Sequence, residues 1–332
     1  MQIGQNMSAN TCLVDANRAS AWVTGAHGFI GRHLCRYLAG LGYAVCGLGH
    51  GLWPATDARA WGVLNWVNGD ISASNLEHMR QKFGAPEFVF HLAGGSSVGL
   101  AISNPFEDFR RTVGSTAELL EWIRQHASMA RLVAVSSAAV YGAMHQGPIA
   151  ETAQVKPFSP YGTHKFVMEE LCRSYGANFG LQIAIPRLFS VYGAGLQKQL
   201  LWDLCGKLQL STVVELGGSG EELRDWIDVR DVARGLERVA HCASTQTPIV
   251  NLGSGFGTSV KDIARMTQRS WAGEKEQLPA LGFNGCSRVG DPFSLVADVG
   301  RMQALGVEST IPFEQGVADY VSWYRARMKE GI

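Results

Sequence analysis

Near its N-terminus the chain reads Val23-Thr24-Gly25-Ala26-His27-Gly28-Phe29-Ile30-Gly31. This stretch follows a short apolar run and precedes a helical pattern, so it predicts a strand, a glycine-rich turn and a helix. Glycines at 25, 28 and 31 suit a tight turn, close backbone approach to a pyrophosphate and close packing of the helix on the strand. The N–H groups that begin the helix would bind the phosphates. The stretch predicts a dinucleotide site, with candidate cofactor residues Gly25, His27, Gly28, Phe29 and Ile30.

The first two-thirds of the chain alternates apolar strand-like runs with helical patterns. Strands are predicted at Ala21–Val23, Ala44–Leu48, Leu64–Asn68, Phe88–Leu92, Leu132–Val135 and Gln182–Pro186, and helices at residues 29–40, 74–83, 106–126 and 160–179. This alternation is typical of an α/β fold of the Rossmann type, in which helices cover both faces of a doubly wound parallel sheet.

The same pattern predicts how the chain is divided. Residues 1–19 are expected to form an N-terminal extension, and residues 20–190 an NAD(P)-binding Rossmann domain. Residues 191–332 carry shorter elements and many glycines. They are expected to form mainly a smaller substrate-binding lobe, with a return to the main sheet near Ile249–Asn251.

Two further predicted strands end in small or hydroxylated residues. One segment, Phe90-His91-Leu92-Ala93-Gly94-Gly95, would let a cofactor lie against the backbone at Leu92, Ala93 and Gly94. We interpret His91 as a packed structural residue rather than a base. The other segment, Val133–Gly142, contains Ser136 and Ser137 at the end of its apolar run. Since parallel strands present ligands at their carboxyl ends, both segments are expected to line one site.

Tyr161 and Lys165 lie four residues apart in a predicted helix, so their side chains are expected on one helix face. A phenol beside an ammonium is easier to deprotonate, because the positive charge stabilises the phenolate. A Tyr tuned in this way would exchange a proton with a sugar hydroxyl near neutral pH. The pair therefore predicts acid/base chemistry.

In this order, the segments resemble the extended short-chain dehydrogenase/reductase family, in its nucleotide-sugar epimerase/dehydratase branch. The motifs that carry the resemblance are Thr24–Gly31, His91–Gly94, Ser136–Gly142, Tyr161–Lys165, Pro186–Gly193, Arg224–Ala233, Asn251–Gly255 and Arg288–Pro292. The resemblance implies a nucleotide-diphosphate sugar as substrate and implies the catalytic residues Ser137, Tyr161 and Lys165. Lys165 would hold the nicotinamide ribose and lower the pKa of Tyr161.

The resemblance also implies substrate contacts. Arg224 and Arg288 match positions that bind the diphosphate, and a planar guanidinium suits paired phosphate oxygens. The candidate substrate residues are Ser96, Ser137, Ser190, Arg224 and Arg288. Thr112 and Ser190 stand where the family often has Asn, and Trp226 replaces a smaller aromatic residue, so the sugar contacts differ from the usual pattern.

The shared chemistry of the family is hydride exchange at carbon 4 of the sugar. Its 4,6-dehydratases carry acidic residues just after the catalytic hydroxyl, where this chain has Ala138 and Ala139. Its decarboxylases and 3,5-epimerising reductases place Glu or Cys at the second of these positions. Since alanine cannot move a proton, these activities are disfavoured. A nucleotide-sugar 4-ketoreductase and a UDP-sugar 4-epimerase remain.

One cofactor clue lies after the second predicted strand. Gly49 stands where an NAD site usually has an acid for the ribose 2′-hydroxyl, and His50 follows it. The missing acid removes a repulsion against a 2′-phosphate, so the sequence slightly favours NADP over NAD, and a 4-ketoreductase over a 4-epimerase. Asp70, followed by Ile71, resembles the acid that contacts adenine in the family.

Composition excludes several other classes. Lys plus Arg and Asp plus Glu number 29 each, which gives no global case for nucleic acid or an anionic membrane. The seven scattered cysteines include no CxxC pair, so we expect reduced thiols, a cytoplasmic protein and no metal site. No signal peptide or membrane-spanning run is recognised.

A catalytically silent dinucleotide sensor is the competing class, but such proteins commonly lose the Tyr–Lys pair.

A homodimer is also expected from the resemblance. In relatives, two helices of each subunit pair across a two-fold axis. The matching apolar stripes are Val113, Leu119, Leu120 and Ile123 in one helix and Phe166, Met168, Leu171 and Tyr175 in the other. The alternative is that these stripes pack on the chain's own sheet.

Overall fold

The computed structural model describes residues 18–211, 213–273, 278–286 and 292–330. Its strands are β1 (Ser20–Thr24), β2 (Ala44–Gly49), β3 (Val63–Asn68), β4 (Phe88–His91), β5 (Arg131–Ala134), β6 (Ser136–Ser137), β7 (Pro148–Ile149), β8 (Gln182–Leu188), β9 (Ser190–Tyr192), β10 (Val213–Leu216), β11 (Leu223–Asp228), β12 (Ile249–Leu252), β13 (Gly257–Ser259), β14 (Ala280–Phe283) and β15 (Ser294–Ala297).

The α-helices are α1 (Phe29–Gly40), α2 (Ala55–Ala60), α3 (Ala73–Phe83), α4 (Val98–Ser103), α5 (Pro105–Phe109), α6 (Ser115–His126), α7 (Pro160–Phe179), α8 (Gln199–Leu210), α9 (Val229–His241), α10 (Val260–Ala272), α11 (Gly300–Ala304) and α12 (Phe313–Lys329). A π-helical turn (Arg110–Gly114) joins α5 to α6, and a 3₁₀ turn (Ala138–Tyr141) follows β6.

The main sheet is parallel throughout. Its strand order is β12-β8-β5-β4-β1-β2-β3, and β6 also pairs with β8. The order reverses direction beside β1, where β4 lies on one side and β2 on the other, which is the switch point of a doubly wound fold. The predicted Rossmann-type fold is confirmed.

Helices cover both faces of this sheet. On one face, α1, α2, α9 and α11 pack on side chains such as Val23, and on the other, α3, α6 and α7 pack on side chains such as Trp22. Neighbouring residues of a strand point to opposite faces, so an apolar run such as Phe88–His91 suits a strand that is buried on both sides. Each fully buried leucine, such as Leu34 in α1, contributes about 2 kcal/mol through its burial.

The predicted elements match the structure closely in the first two-thirds of the chain. The bounds of α1 and α7 are as predicted, and β12 returns to the main sheet beside β8, as expected near Ile249–Asn251. The single helix predicted over 106–126 is instead α5, the π-helical turn and α6. The short helices α2 and α4 were not predicted, because each has too few residues for a helical period to be recognised.

The helix stripes that were expected to form a dimer interface mostly belong to the core. Leu119, Leu120 and Ile123 are fully buried, and Met168 is 1% exposed. They pack on one face of the main sheet, so they do not supply the interface that the sequence analysis assigned to them.

The second half of the chain adds two smaller sheets. In one, β11 pairs with β9, β13 and β15, and β15 pairs with β7; in the other, β10 pairs with β14. Helices α8, α10 and α12 enclose a separate aromatic core that includes Tyr192, Trp226 and Tyr320. The predicted extension lies almost wholly outside the described residues. None of the helices that the structure describes has the length and apolarity needed to span a membrane.

Candidate active site

A large cleft lies at the carboxyl ends of the main-sheet strands, between that sheet and the smaller sheets. Its volume is about 1520 Å³. Its walls include all the sequence-predicted site residues that the structure describes: Gly25, His27, Gly28, Phe29, Ile30, His50, Asp70, Ile71, Leu92, Ala93, Gly94, Ser96, Ser137, Tyr161, Lys165, Ser190 and Arg224. Arg288 lies outside the described residues. Residues far apart in sequence therefore meet in one cleft.

The glycine turn between β1 and α1 is shaped for close approach of a ligand. Gly25 has a φ of +70°, and a Cβ there would lie 3.0 Å from the Ala93 nitrogen. A Cβ on Gly31 would overlap the Gly25 carbonyl oxygen. Gly28 caps α1 without a side-chain hydrogen bond, so no side chain caps the first N–H groups of the helix. This uncapped helix end, exposed in the cleft, fits a dinucleotide pyrophosphate.

The end of β2 provides no carboxylate for a ribose hydroxyl. Gly49 is tightly packed, since a Cβ on it would lie 3.2 Å from Cη2 of Trp66. His50 Nε2 lies 3.1 Å from Asp70 Oδ1, so its imidazole already has an anionic neighbour. The ring of His27 stacks on Trp53 with a centroid distance of 4.7 Å. At this edge the cleft is lined by the imidazoles of His27 and His50 and by the Asp70 carboxylate, while Trp53 and Trp66 pack behind them.

The predicted catalytic side chains converge on the cleft floor. Ser137 ends β6, and its hydroxyl forms a hydrogen bond with the Tyr161 phenol. Tyr161 and Lys165 occupy the first turns of α7, which Ser159 begins by accepting a hydrogen bond from the Gly162 N–H at 3.1 Å. Lys165 is 4% exposed, and its Nζ donates to the Val135 carbonyl at 2.9 Å.

Burial sets the acidity of this pair. Burial lowers the pKa of Lys165 to about 8, and the charges of Asp108 and Glu169 oppose that shift. Burial also raises the pKa of Tyr161, while the hydrogen bond from Ser137 acts in the opposite direction. The expected lowering of the Tyr161 pKa by Lys165 is therefore wrong for this structure. The ammonium is directed to the Val135 carbonyl, and burial of the phenol dominates.

A buried ionic network behind the floor was not predicted. The Arg187 guanidinium donates to both Glu169 oxygens, at 2.9 and 2.7 Å, and the Ser136 hydroxyl donates to Glu169 at 2.6 Å. Tyr141 lies under the guanidinium, with its ring centroid 4.7 Å from Arg187 Cζ. The sequence carried one signal for this network. Glu169 lies one helical turn after Lys165, so its carboxylate is on the same face of α7 as the lysine.

His91 links three elements of the site, in agreement with its interpretation as a structural residue. Its Nδ1 lies 2.8 Å from Thr24 Oγ1, and its Nε2 lies 3.0 Å from Thr116 Oγ1. Thr116 donates its own proton to the Thr112 carbonyl, so it accepts from Nε2–H, and Nδ1 accepts from Thr24. Burial and the Lys165 charge lower the pKa of His91 to about 3, consistent with a neutral ring.

The opposite wall carries the predicted substrate residues and one that was not predicted. Ser190 pairs with Trp226 across β9 and β11, and Arg224 lies two residues before Trp226 on β11. Lys198, at the start of α8, also lines the cleft, and its Nζ donates to the Ser96 carbonyl at 2.8 Å. Nothing in the local sequence distinguishes Lys198 from a surface lysine, because its place depends on the loop after β9.

Ala138 and Ala139 line the cleft directly after Ser137, so no carboxylate or thiol stands at those two positions. Within the described ranges, no group of three or more His, Cys, Asp or Glu side chains could hold a metal ion. The side chains of the floor can exchange protons and form hydrogen bonds with a ligand in the cleft.

Comparisons with known proteins agree with this geometry. A family model described as the NAD dependent epimerase/dehydratase family matches residues 21–253. The UDP-glucose 4-epimerase of Streptomyces lividans is 29% identical and aligns with 92% of this chain and 96% of that protein. Among solved structures, MoeE5 in complex with UDP-glucose and NAD is 31% identical, with a TM-score of 0.81, and the match covers 93% of this chain and 100% of that chain. The UDP-glucose 4-epimerase of Thermus thermophilus, in complex with NAD, is 26% identical, with a TM-score of 0.79 and coverage of 92% and 99%.

Proposed function

The chain belongs to the NAD dependent epimerase/dehydratase family, and from that membership we propose that it is a UDP-sugar 4-epimerase that uses NAD. The proposal rests mainly on one observation: Ser137, Tyr161 and Lys165 lie together on the floor of a cleft that also contains the glycine turn. Relatives named UDP-glucose 4-epimerase that align over nearly the whole chain support epimerisation. None of the similarities reported above favours the 4-ketoreductase that the sequence analysis slightly preferred.

When bound, NAD would accept a hydride from carbon 4 of the sugar and return it. The chain's own groups control the proton. Tyr161 Oη takes the proton of the 4-hydroxyl and gives it back, and the Ser137 hydroxyl donates a hydrogen bond to the same sugar oxygen. Such a donor stabilises charge as it develops on that oxygen. Lys165 would hold the nicotinamide ribose through its ammonium.

Epimerisation also requires the 4-keto sugar to turn, so that hydride returns to its other face. This movement would take place in the cleft, whose total volume is about 1520 Å³. Ala138 and Ala139 supply no acid or base, so elimination of water has no residue at those positions to carry it. The same floor therefore favours return of the hydride to carbon 4 over a 4,6-dehydration.

NAD is the cofactor that we assign, because NAD is present in the MoeE5 and Thermus thermophilus structures. The carboxylate missing at Gly49 does not exclude it, since 2′-hydroxyl contacts can come from other groups at this edge. Asp70 beside His50 also opposes a 2′-phosphate, because two negative groups would share one imidazole. The NAD in the similar structures and the position of Asp70 therefore lead us to assign NAD, although the sequence slightly favoured NADP.

The test combines an assay with identification of the cofactor. Purified protein is incubated with UDP-glucose and no added cofactor, UDP-galactose is followed by chromatography, and the cofactor released on denaturation is identified by mass spectrometry. We expect conversion toward an equilibrium mixture and retained NAD. Protein that converts no UDP-glucose but oxidises NADPH in the presence of a UDP-4-keto sugar would instead be a 4-ketoreductase.

A further inference from the structure

A carboxylate and an imidazole that the proposed chemistry does not use lie directly behind the catalytic lysine. His164 Nδ1 lies 2.6 Å from Asp108 Oδ2, and the side chains are only 14% and 5% exposed. His164 immediately precedes Lys165 on α7, while Asp108 lies on α5, two residues before the π-helical turn. The ring of Phe109 packs edge-on against His164, with a centroid distance of 5.6 Å.

The pair joins α5 to α7, and the loop after β4 packs against both helices. Within that loop, a Cβ on Gly95 would overlap the Asp108 carboxylate, and the Gly95 N–H donates to Thr112 Oγ1 at 2.8 Å. A Cβ on neighbouring Gly94 would lie 3.3 Å from Thr112 Oγ1 and 3.5 Å from Lys165 Nζ. The glycine pair is therefore held tightly between the π-helical turn and Lys165, and any slippage of α7 against α5 would move Lys165.

Asp108 also differs from the other groups around Lys165 in its charge. His91, from β4, is neutral because burial and Lys165 lower its pKa to about 3. Cys172, on α7, is a neutral thiol because burial raises its pKa to about 12. Tyr161, on the same helix, is a neutral phenol because burial raises its pKa.

Two carboxylates remain near the ammonium. Glu169 is already matched, because Arg187 donates to both of its oxygens. Asp108 accepts a hydrogen bond from His164 Nδ1, which can donate whether or not the ring is protonated. Among the described residues, no Arg or Lys lies within ion-pair distance of Asp108. Of the two carboxylates, Asp108 opposes the lowering of the Lys165 pKa by burial more strongly than Glu169 does.

We propose that Asp108 and His164 act as a positioning pair for Lys165: they lock α7 against the α5 segment and place one buried negative charge behind the ammonium. The proposal rests on the proposed function in assigning Lys165 to the cofactor ribose. It assigns no proton transfer to either residue. Its two parts, the lock and the charge, are separable by mutation.

The charge is tested with Asp108→Asn, since the amide can still accept the His164 hydrogen bond but has no charge. The full-length variant is titrated with NAD between pH 6.5 and 9.5. In the wild type, affinity falls as Lys165 loses its proton; in Asp108→Asn this fall is expected about 1 pH unit lower. Asp57→Asn, which removes an exposed acid on α2, is the control and should leave the pH profile unchanged. A folded Asp108→Asn protein with the wild-type profile would overturn the proposal.

The lock is tested with His164→Ala, whose side chain has no group that can donate to Asp108. We expect the dissociation constant for NAD to rise at least fivefold at pH 7, with Lys165 still charged. A dissociation constant for NAD within twofold of the wild-type value would refute the lock. This result would count even if Asp108→Asn does not fold. If the wild type binds no NAD, the proposed function fails instead. The wild type and the variants can then be compared without cofactor. The pH dependence of Lys165 acylation by acetic anhydride, followed by mass spectrometry, reports the protonation of Lys165 in each protein.

Discussion

Arg187 and Glu169 form a buried bidentate ion pair behind Ser137, Tyr161 and Lys165, the proposed catalytic residues. The two donor–acceptor distances are 2.9 and 2.7 Å, and the side chains are 1% and 0% exposed. Glu169 lies on α7 one turn after Lys165, whereas Arg187 lies on β8, next to the strand that ends in Ser137. The pair therefore fixes the helix that carries Tyr161 to the sheet that carries Ser137.

Loss of one partner should destabilise the whole fold. Glu169→Gln keeps the shape but leaves the Arg187 guanidinium buried without a counter-charge, which typically costs about 3 to 5 kcal/mol. Urea denaturation followed by circular dichroism would measure the change in the free energy of unfolding. Glu77→Gln removes an exposed partner of Arg80 on α3 and should cause no measurable change. Equal stability of both variants would show that the buried pair is dispensable.

Removal of the Tyr161 hydroxyl should separate chemistry from binding. Tyr161→Phe keeps the ring in place, so we expect NAD to bind, while UDP-glucose conversion falls about 10²- to 10⁴-fold because the general acid/base is gone. Tyr175→Phe is the matched control on the same helix, where the hydroxyl contacts only Glu121 among the described residues. Wild-type turnover by Tyr161→Phe would contradict the assignment of this residue.

Cofactor affinity should depend on pH through Lys165. Burial lowers the pKa of this lysine to about 8, so the ammonium that we propose binds the ribose is present below pH 8 and is lost above it. We expect the association constant for NAD to fall as pH rises from 7.5 to 9.5. Lys165→Met should bind NAD weakly throughout this range and show no such fall. A wild-type affinity that stays constant up to pH 9.5 would exclude this role.

The glycine turn should tolerate no side chain at Gly31. A Cβ there would overlap the Gly25 carbonyl oxygen, so Gly31→Ala must displace the turn. We expect loss of NAD binding by fluorescence titration, together with a lower melting temperature. Gly40→Ala is the control in the same helix, where a Cβ meets nothing within 4 Å. It should stabilise α1 slightly, because alanine favours helix more than glycine does.

The expected homodimer can be tested on a surface that the structure now defines. Leu100, Ile102 and Phe106, on α4 and α5, are 62%, 61% and 78% exposed. An interface would remove these large apolar side chains from water. We expect light scattering after size-exclusion chromatography to give twice the 35.9 kDa chain mass, and Phe106→Glu to lower it. A wild-type mass of one chain would reject the dimer.

Much of the fold was predictable because its signals are local. The strands are short apolar runs, and α1 and α7 begin at positions that the sequence marks, with a glycine turn before Phe29 and with Ser159 and Pro160. Ser137, Tyr161 and Lys165 were expected to share one site, and all three line the same cleft; their catalytic role stays a prediction. The smaller sheets were not predicted, since their pairings join short segments distant in sequence.

The contacts behind the cleft could not be predicted in the same way. Asp108 and His164 are 56 residues apart, and only the docking of α5 on α7 brings them together. The π-helical turn depends on this packing too, because the sequence of residues 106–126 reads as one helix. The direction of the Tyr161 pKa was wrong for a related reason: a four-residue spacing gives a common helix face, but not where the ammonium points.

The hydrogen bonds around His91 make that ring a spectroscopic reporter. Both nitrogens are engaged and the ring stays neutral down to about pH 3, so its ¹⁵N resonances should not titrate across the range in which solvent-exposed imidazoles do. The resonances should change instead when Thr24 or Thr116 moves. Because Thr24 directly precedes the glycine turn and Thr116 lies on α6, the resonances report the separation of these two elements. An isotope-labelled sample would therefore report cofactor-induced movement of these two elements without an added probe.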